Sequence, residues 1–343
     1  MVMQEKFPKV QEIIDSSKSI LIPFHVHPDG DMVGSGLAMA AYLKSAGKKV
    51  RVVSVDPVNP EWKFLPYFDL IENIDPLELN LASIDLIIFI DSESSKRVTR
   101  GAGFSIPDEI KTIGVDHHKT NPQEFQINIL NYEEVSSAAQ LILEYFTVVD
   151  FPLNKEIALL LYWGLIMDTG LFEYFAPSPL AKIKAHEDAA TLLTAGAPHD
   201  QLVHRIRGNQ NLETIKFLAK GLSNLQIDKE YRFCWTVFSN LEIDELGLGG
   251  KVSMVRFSIK PFLNCLKGTD FGILLTEDEN NFISVSLRAR RQDGVDVSEL
   301  ARILGGGGHR AAAGIKLKMS LEEAEKLVLE MARKFARKEL KTE

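Results

Sequence analysis

Four short stretches hold the residues of this chain that could do chemistry. His25-Val26-His27-Pro28-Asp29-Gly30-Asp31 places a histidine and two carboxylates close together. Asp91-Ser92 ends one apolar run, Asp116-His117-His118 ends another, and Asp168-Thr169-Gly170 ends a third. Imidazole nitrogens and carboxylate oxygens are hard or borderline ligands, suited to Mn²⁺, Mg²⁺ or Zn²⁺. Each stretch also has an ordinary alternative. Asp29 suits a helix N-cap, Asp91 could cap whatever follows, and adjacent histidines can be a surface pair. Asp116 could orient an imidazole from behind. Two common motifs are excluded. Gly34-Ser35-Gly36 has Met39 where a dinucleotide fingerprint needs its third glycine. Counting from Asp29 as a calcium loop puts Ala40 where the loop needs its glutamate.

These residues need a frame. Residues 19–24 read as a short buried strand that runs into His25. A Pro-Asp-Gly turn and an apolar helix pattern over 37–43 follow, ending near Ala46-Gly47. Residues 50–55 read as a second strand, and 60–68 as a loop or short helix. The continuous apolar run 86–90 is a buried parallel strand ending at Asp91. Residues 111–115 form another, leading into Asp116. Helices are expected over 136–146, over 154–167 with Asn154 as N-cap, and over 179–194. This alternation predicts an α/β domain, a parallel sheet with helices on both faces, and puts the candidate residues at the carboxyl ends of its elements.

After Gly196-Ala197-Pro198 the pattern changes. Residues 196–212 read as a linker, partly helical, between a first domain over 1–195 and a smaller mixed α/β domain over 213–343. The second domain shows strands over 231–238, 271–276 and 282–289, with a turn over 278–281. A short helix over 297–304 precedes Gly305-Gly306-Gly307-Gly308-His309-Arg310. A strand over 315–318 and a capping box, Ser320-Leu321-Glu322-Glu323, lead into an amphipathic C-terminal helix.

Composition bounds the function. The 343 residues suffice for two domains, and 45% hydrophobic with 25% charged residues is a globular balance. A formal net charge of −8 repels polyanions. A phosphate-bearing ligand must then be held by metal ions or a local cationic pocket, and a long nucleic-acid track is not expected. Cys234 and Cys265 read as buried free thiols, which fits a reducing compartment. The start has no apolar signal-peptide core, and the longest apolar run, 157–167, is too short to span a bilayer. These features predict a cytoplasmic protein with no membrane partner.

The combined order and spacing, His25-x-x-x-Asp29-x-Asp31, then Asp91, then Asp116-His117-His118, then Asp168-Thr169-Gly170, resembles the DHH phosphoesterase superfamily. The resemblance runs the length of the chain, because the Gly305–His309 run looks like the glycine-rich motif of the DHH-associated domain. It implies two divalent ions, Mn²⁺ being favoured by the two imidazoles. His25, Asp29 and Asp91 would hold one ion. Asp31, Asp91, His117 and Asp168 would hold the other, with Asp91 bridging. His118, backed by Asp116, would face the substrate phosphate. Such a pair of ions can share a water and make hydroxide near neutral pH for in-line attack. Two ions bring four positive charges and four aspartates cancel them, so hydroxide and a phosphodiester leave the site short of cations. Arg288 and Arg290, two apart on one expected strand, and Arg310 would supply them. Gly307, Gly308 and His309 would join them in holding substrate, the glycine amides forming an anion-binding nest. Two positions depart from the family pattern. His27 stands where the family usually has asparagine, and Leu171-Phe172-Glu173-Tyr174 stands where an arginine commonly follows.

The resemblance implies a phosphodiesterase that releases mononucleotides from very short RNA or from linear dinucleotides of the pApA type, and a homodimer. Alternatives within the family are a pAp phosphatase and a cyclic dinucleotide phosphodiesterase. Family pyrophosphatases lack the second-domain glycine motif, processive exonucleases are longer, and a nucleotide sensor with a dead site would be missing a ligand.

Overall fold

The computed structural model describes residues 3–92, 94–101, 104–118, 124–131, 133–176, 178–208, 211–248, 258–259, 261–278, 282–290 and 294–339. They divide into two compact units, Met1–Ile206 and Arg207–Glu343.

The first unit is built on strands β1 (Ser19–Phe24), β2 (Lys49–Ser54), β3 (Ile71–Glu72), β4 (Leu86–Ile90), β5 (Lys111–Asp116) and β6 (Ile127–Leu130). They pair in parallel in the order β3-β2-β1-β4-β5-β6. The order reverses between β1 and β4, and the crevice outside the carboxyl ends of such neighbours is where open α/β sheets bind ligands. Side chains alternate between faces. Ile20, Ile22, Phe24, Ile88 and Ile90 join the large core. Six helices contribute to that core: α1 (Phe7–Ser16), α2 (Gly30–Ser45), α3 (Ala138–Val148), α4 (Lys155–Asp168), α5 (Pro179–Thr194) and α6 (His199–Arg207). Leu21, Val53, Ile87 and Phe89 enter a thinner layer on the other face. There the cover is Phe104, Ile106, Ile110 and the 3-10 turns Leu81–Ser83 and Ser95–Val98. Long α-helices thus serve one face, and short 3-10 turns serve the other.

Two helices set the site. α2 begins at Gly30 rather than at residue 37, because Asp29 caps it by accepting from the amides of Asp31 and Met32. α4 begins after Asn154, whose side chain accepts from Ile157 N. The two pack backbone against backbone. A Cβ at Gly34 would lie 2.4 Å from the Leu160 carbonyl oxygen, and one at Gly164 would lie 2.7 Å from Asp31 Oδ1. Gly34 therefore serves helix packing, and Gly36 makes room for the Phe24 ring of β1. In the expected linker, α6 buries Leu202 in the first core, and the division between units falls between Ile206 and Arg207.

The second unit has strands β7 (Gln226–Asp228), β8 (Phe233–Phe238), β9 (Phe271–Asp278), β10 (Phe282–Ala289), β11 (Gly307–His309) and β12 (Ala312–Lys318), in the order β11-β12-β10-β9-β8-β7. The sheet is mixed: β8 and β9 are parallel and the other pairs are antiparallel. One face packs on the helices Val297–Ile303 and Leu321–Glu339. Part of the other lies under Phe217 of the helix Leu212–Ser223, with Ile243, Ile259 and Leu263. Ser320 and Glu323 form the expected capping box. Most of the turn expected over 278–281 lies outside the described residues.

Three expectations need correction. Arg290 is not on β10, which ends at Ala289, so it shares no strand face with Arg288. Its amide instead donates to the Asp270 carbonyl. The glycine run is not one nest. Gly305, with φ +79, donates to Arg302 O at 3.1 Å, and Gly306 donates to Ala301 O at 2.8 Å. Those two bonds are the Schellman closure of the preceding helix. The remainder, Gly307–His309, is strand β11 on β12. Cys234 is buried as expected, but Cys265 is exposed.

Candidate active site

Each candidate residue of the first unit lies where a strand or helix ends. His25 follows β1, Asp91 follows β4, and Asp116 ends β5 with His117 and His118 behind it. Asp29 and Asp31 stand at the amino end of α2, and Asp168 at the carboxyl end of α4. The fold brings them together. Donor atoms of His25, Asp29 and Asp91 lie within 4.8 Å of one another, as do those of Asp31, His117 and Asp168, and those of Asp91, His117 and His118.

Asp91 stands between these groups. Its Oδ2 is 3.5 Å from His25 Nε2, and its Oδ1 is 3.3 Å from His117 Nε2 and 3.4 Å from His118 Nδ1. Its backbone is left-handed, φ +50, a strained state outside glycine that clusters at functional sites. His117 Nε2 also lies 3.3 Å from Asp168 Oδ2 and 3.9 Å from Asp31 Oδ2. His25 Nδ1 is 2.9 Å from the Val26 carbonyl, which fixes that nitrogen as donor and leaves Nε2 a ligand atom. His118 Nδ1 is likewise committed to Asp116 Oδ1, at 2.8 Å.

What holds Asp31 is not visible in the amino-acid pattern. Its carboxylate accepts from Ala138 N at 2.5 Å and Ala139 N at 3.0 Å, the first amides of α3, where helix N–H groups lack partners of their own. Gly164 backs it from α4. The loop between His25 and Asp29 is tied down by Asp56, which accepts from His27 N at 2.7 Å and pairs with Arg100 at 2.7 and 3.0 Å. Arg100 and the His27 amide outweigh partial burial and hold Asp56 below the usual carboxylate range. His27 itself is exposed. After Asp168, Gly170, Leu171 and Phe172 make a left-handed turn with φ of 56, 60 and 68. Nothing in the hydrophobic pattern announced these features, because they join residues far apart in the chain.

Burial crowds like charges here. Burial, then Asp91 and Asp168, push Asp31 well above the ordinary carboxylate range, and burial with Asp91 and Asp29 does the same to Asp168. Burial opposes charge on Asp91 too, but His117 and His25 hold it well below that range. Burial disfavours the His117 cation, yet Asp91 and Asp31 raise it to about 9. His118 is also raised, against burial, by Asp116. Asp91 Oδ1, Asp116 Oδ2 and His117 Nε2 are buried without a hydrogen bond. Buried donors and acceptors are nearly always satisfied, so these orphans, in a set of carboxylates and imidazoles, fit divalent cations.

A pH dependence follows. Cations bind the deprotonated ligands, and metal-free His117 keeps its proton to about pH 9. Metal uptake near neutral pH is expected to release protons, and affinity to climb with pH until His117 titrates. The sign for stability is opposite. The contribution of His117 in the metal-free protein is complete below 6.5, its ordinary value, and vanishes as pH rises through about 9. Calorimetry of Mn²⁺ binding in buffers of different ionisation enthalpy reads the release. An affinity that is flat from about pH 6 to 9 would contradict it.

In the second unit, sheet register places Arg288, Ala312 and His309 in one row across β10, β12 and β11. The side chain of His309 lies outside what the structure describes. Arg310 donates to the Gly294 carbonyl at 2.6 Å. A Cβ at Gly308 would meet Ala312 O at 2.6 Å, whereas Gly307 has open space around it.

This strand-end set of carboxylates and imidazoles, in an open parallel sheet followed by a mixed-sheet unit, defines a metal-dependent phosphoesterase. Residues 19–165 match the DHH family, N-terminal domain, and residues 264–338 match the DHHA1 domain; the chain belongs to the DHH phosphoesterases. It is similar to the bifunctional oligoribonuclease and PAP phosphatase NrnA of Thermus thermophilus, 29% identical over 96% of this chain and 94% of that protein. The NrnA of Bacillus subtilis is 23% identical over 91% and 93%. The cyclic-di-AMP phosphodiesterase PdeA of Listeria monocytogenes is 24% identical over 93% of this chain but only 48% of its own length. An exopolyphosphatase-related protein from Bacteroides fragilis shares the fold, with a TM-score of 0.82 at 24% identity over 97% of both chains. Among the described residues no helix is long and apolar enough to cross a membrane.

Proposed function

We propose that this protein is a two-metal phosphodiesterase that cleaves very short RNA and linear dinucleotides of the pApA type to mononucleotides. One observation carries the reading: Asp91 directs one oxygen toward the His25 group and the other toward the His117 group, the disposition of a carboxylate bridging two ions. His25 and Asp29 would complete the holding of one ion, and Asp31, His117 and Asp168 that of the other. Manganese suits this mixed set better than magnesium, which prefers oxygen ligands. When bound, two such ions supply an activated water and stabilise the leaving oxygen of an in-line displacement.

The remaining groups act on the substrate. Asp116 orients His118 and favours its charged form, in which Nε2–H would present a proton to a phosphoryl or leaving oxygen. In the second unit, Arg288, Arg310 and the Gly307–His309 strand would be the substrate-binding residues. Two relatives named as both oligoribonuclease and PAP phosphatase favour a second reading, removal of the 3′-phosphate of pAp by the same residues.

Parallel turnover of pAp, pApA and a five-nucleotide RNA with Mn²⁺ tests this. The expected result is rapid loss of pApA and of the pentanucleotide. Hydrolysis of pAp alone would replace the proposal with the phosphatase reading.

A further inference from the structure

The first-turn amides of α3 are all committed. The Gln140 amide donates to the capping hydroxyl of Ser137 at 3.3 Å, and those of Ala138 and Ala139 donate to Asp31. The Gln140 side chain extends this arrangement to both sides. Its Oε1 accepts from Ser136 N at 2.8 Å, one residue earlier than the partner in an ordinary capping box. Its Nε2 donates at 2.7 Å to Asp188 Oδ2 on α5, and Lys184 lies 3.9 Å from the same oxygen. The Ser136 hydroxyl oxygen in turn accepts from Ala176 N at 2.8 Å. Ala176 follows the left-handed turn that leaves Asp168. A second tie joins the same segments, with Ser178 N donating to the Glu133 carbonyl at 3.0 Å. Gln140, Ser136 and Ser137 are buried.

We propose that Gln140 is a positioning residue for the metal centre, setting the spacing of Asp31 and Asp168. The inference rests on the two-metal reading and adds to it a residue with no ligand chemistry of its own. Asp31, His117 and Asp168 form one candidate ligand group, yet Asp31 starts α2 and Asp168 ends α4. Gln140 joins what supports them. It fixes the Ser136 peptide, which leads into the helix end that clamps Asp31. That same residue anchors the chain leaving Asp168 through its hydroxyl. Without Gln140 the Ser136 peptide is free to turn, and the two carboxylates lose their common brace. Only a carboxamide fits: it accepts from Ser136 at one end and donates to Asp188 at the other. The second group is held differently. His25 is oriented by the Val26 carbonyl, and Asp29 by the first amides of α2. The effect of Gln140 therefore falls on one ion. Residues that orient metal ligands from behind typically contribute about 10–100-fold in affinity.

The test reads metal binding rather than turnover. Calorimetric titration of the intact, metal-free chain with Mn²⁺ compares wild type, Gln140→Met, Gln140→Glu, and the exchange of Gln140→Glu with Asp188→Asn. Gln140→Met is similar in size and makes neither bond. It is expected to weaken one ion about 10–100-fold and leave the other as in wild type. Gln140→Glu alone sets two carboxylates against each other and is expected to do the same. The exchange reverses the polarity of that contact: the new carboxylate accepts from Ser136 and from the new amide, and binding of the weakened ion is expected to return. Thermal melting in EDTA checks folding, and if Gln140→Met does not fold, the exchange against Gln140→Glu carries the test. Equal weakening of both ions, which a merely structural role gives, overturns the proposal. So does unchanged binding, or an exchange that stays as weak as Gln140→Glu. Wild-type protein that binds Mn²⁺ in this Gln140-dependent way but hydrolyses neither pApA nor RNA would instead overturn the activity reading and leave the positioning role standing.

Discussion

Asp91→Ala is expected to abolish turnover and to cost at least one bound metal ion per chain. Asp91 faces both imidazoles, with His25 at 3.5 Å from one oxygen and His117 at 3.3 Å from the other. Its removal also leaves two buried imidazoles without the carboxylate that favours their charged forms. The loss in kcat/KM should be on the order of a thousandfold or more, since both ions depend on this side chain. Elemental analysis and activity are read on the same sample. Retained activity with two ions per chain would remove Asp91 from the site.

His118→Ala is expected to give the opposite pattern: metal content unchanged and kcat lower by roughly 10²–10⁴-fold, the usual range for a positioned acid or base. Its Nδ1 is taken by Asp116, so in this reading the residue works through its other nitrogen on substrate. The companion Asp116→Asn removes the charge that raises His118. If activity requires protonated His118, activity falls as pH rises through its pKa, and Asp116→Asn moves that fall to lower pH. A pH–rate profile with metal analysis separates the cases. Loss of an ion in His118→Ala would make it a ligand instead.

Much of the first unit was legible because its signals are local. The continuous apolar run 86–90 could only be a buried strand, and the polar break after it marked Asp91. The N-cap reading of Asp29 and its ligand reading proved compatible: one carboxylate caps α2 while lying 4.0 Å from His25 Nε2. What stayed hidden depends on contacts across the chain. The amides that hold Asp31 are more than a hundred residues away, and no periodicity reports them. Gly34 and Gly36 looked like a spoiled phosphate loop because glycine gives the same letter for a close backbone approach as for a helix contact. The four consecutive glycines at 305–308 hid two jobs, a helix stop and the start of an edge strand, which only hydrogen bonds distinguish. Strand β6 is short, and part of it is only half-buried, so it carried no strong pattern.

The clamping of Asp31 has a consequence for ion size. Calcium takes six to eight oxygens at about 2.3–2.6 Å and relies on carboxylates that swing into bidentate contact. Asp31 cannot swing: the Ala138 and Ala139 amides occupy one side of each oxygen, and the Gly164 backbone closes the space behind. A fixed carboxylate suits a smaller ion of defined geometry and leaves a larger one underfilled. In the two-metal reading the fixed Asp31 disfavours a larger ion, and calcium in excess is expected to compete poorly with manganese for binding.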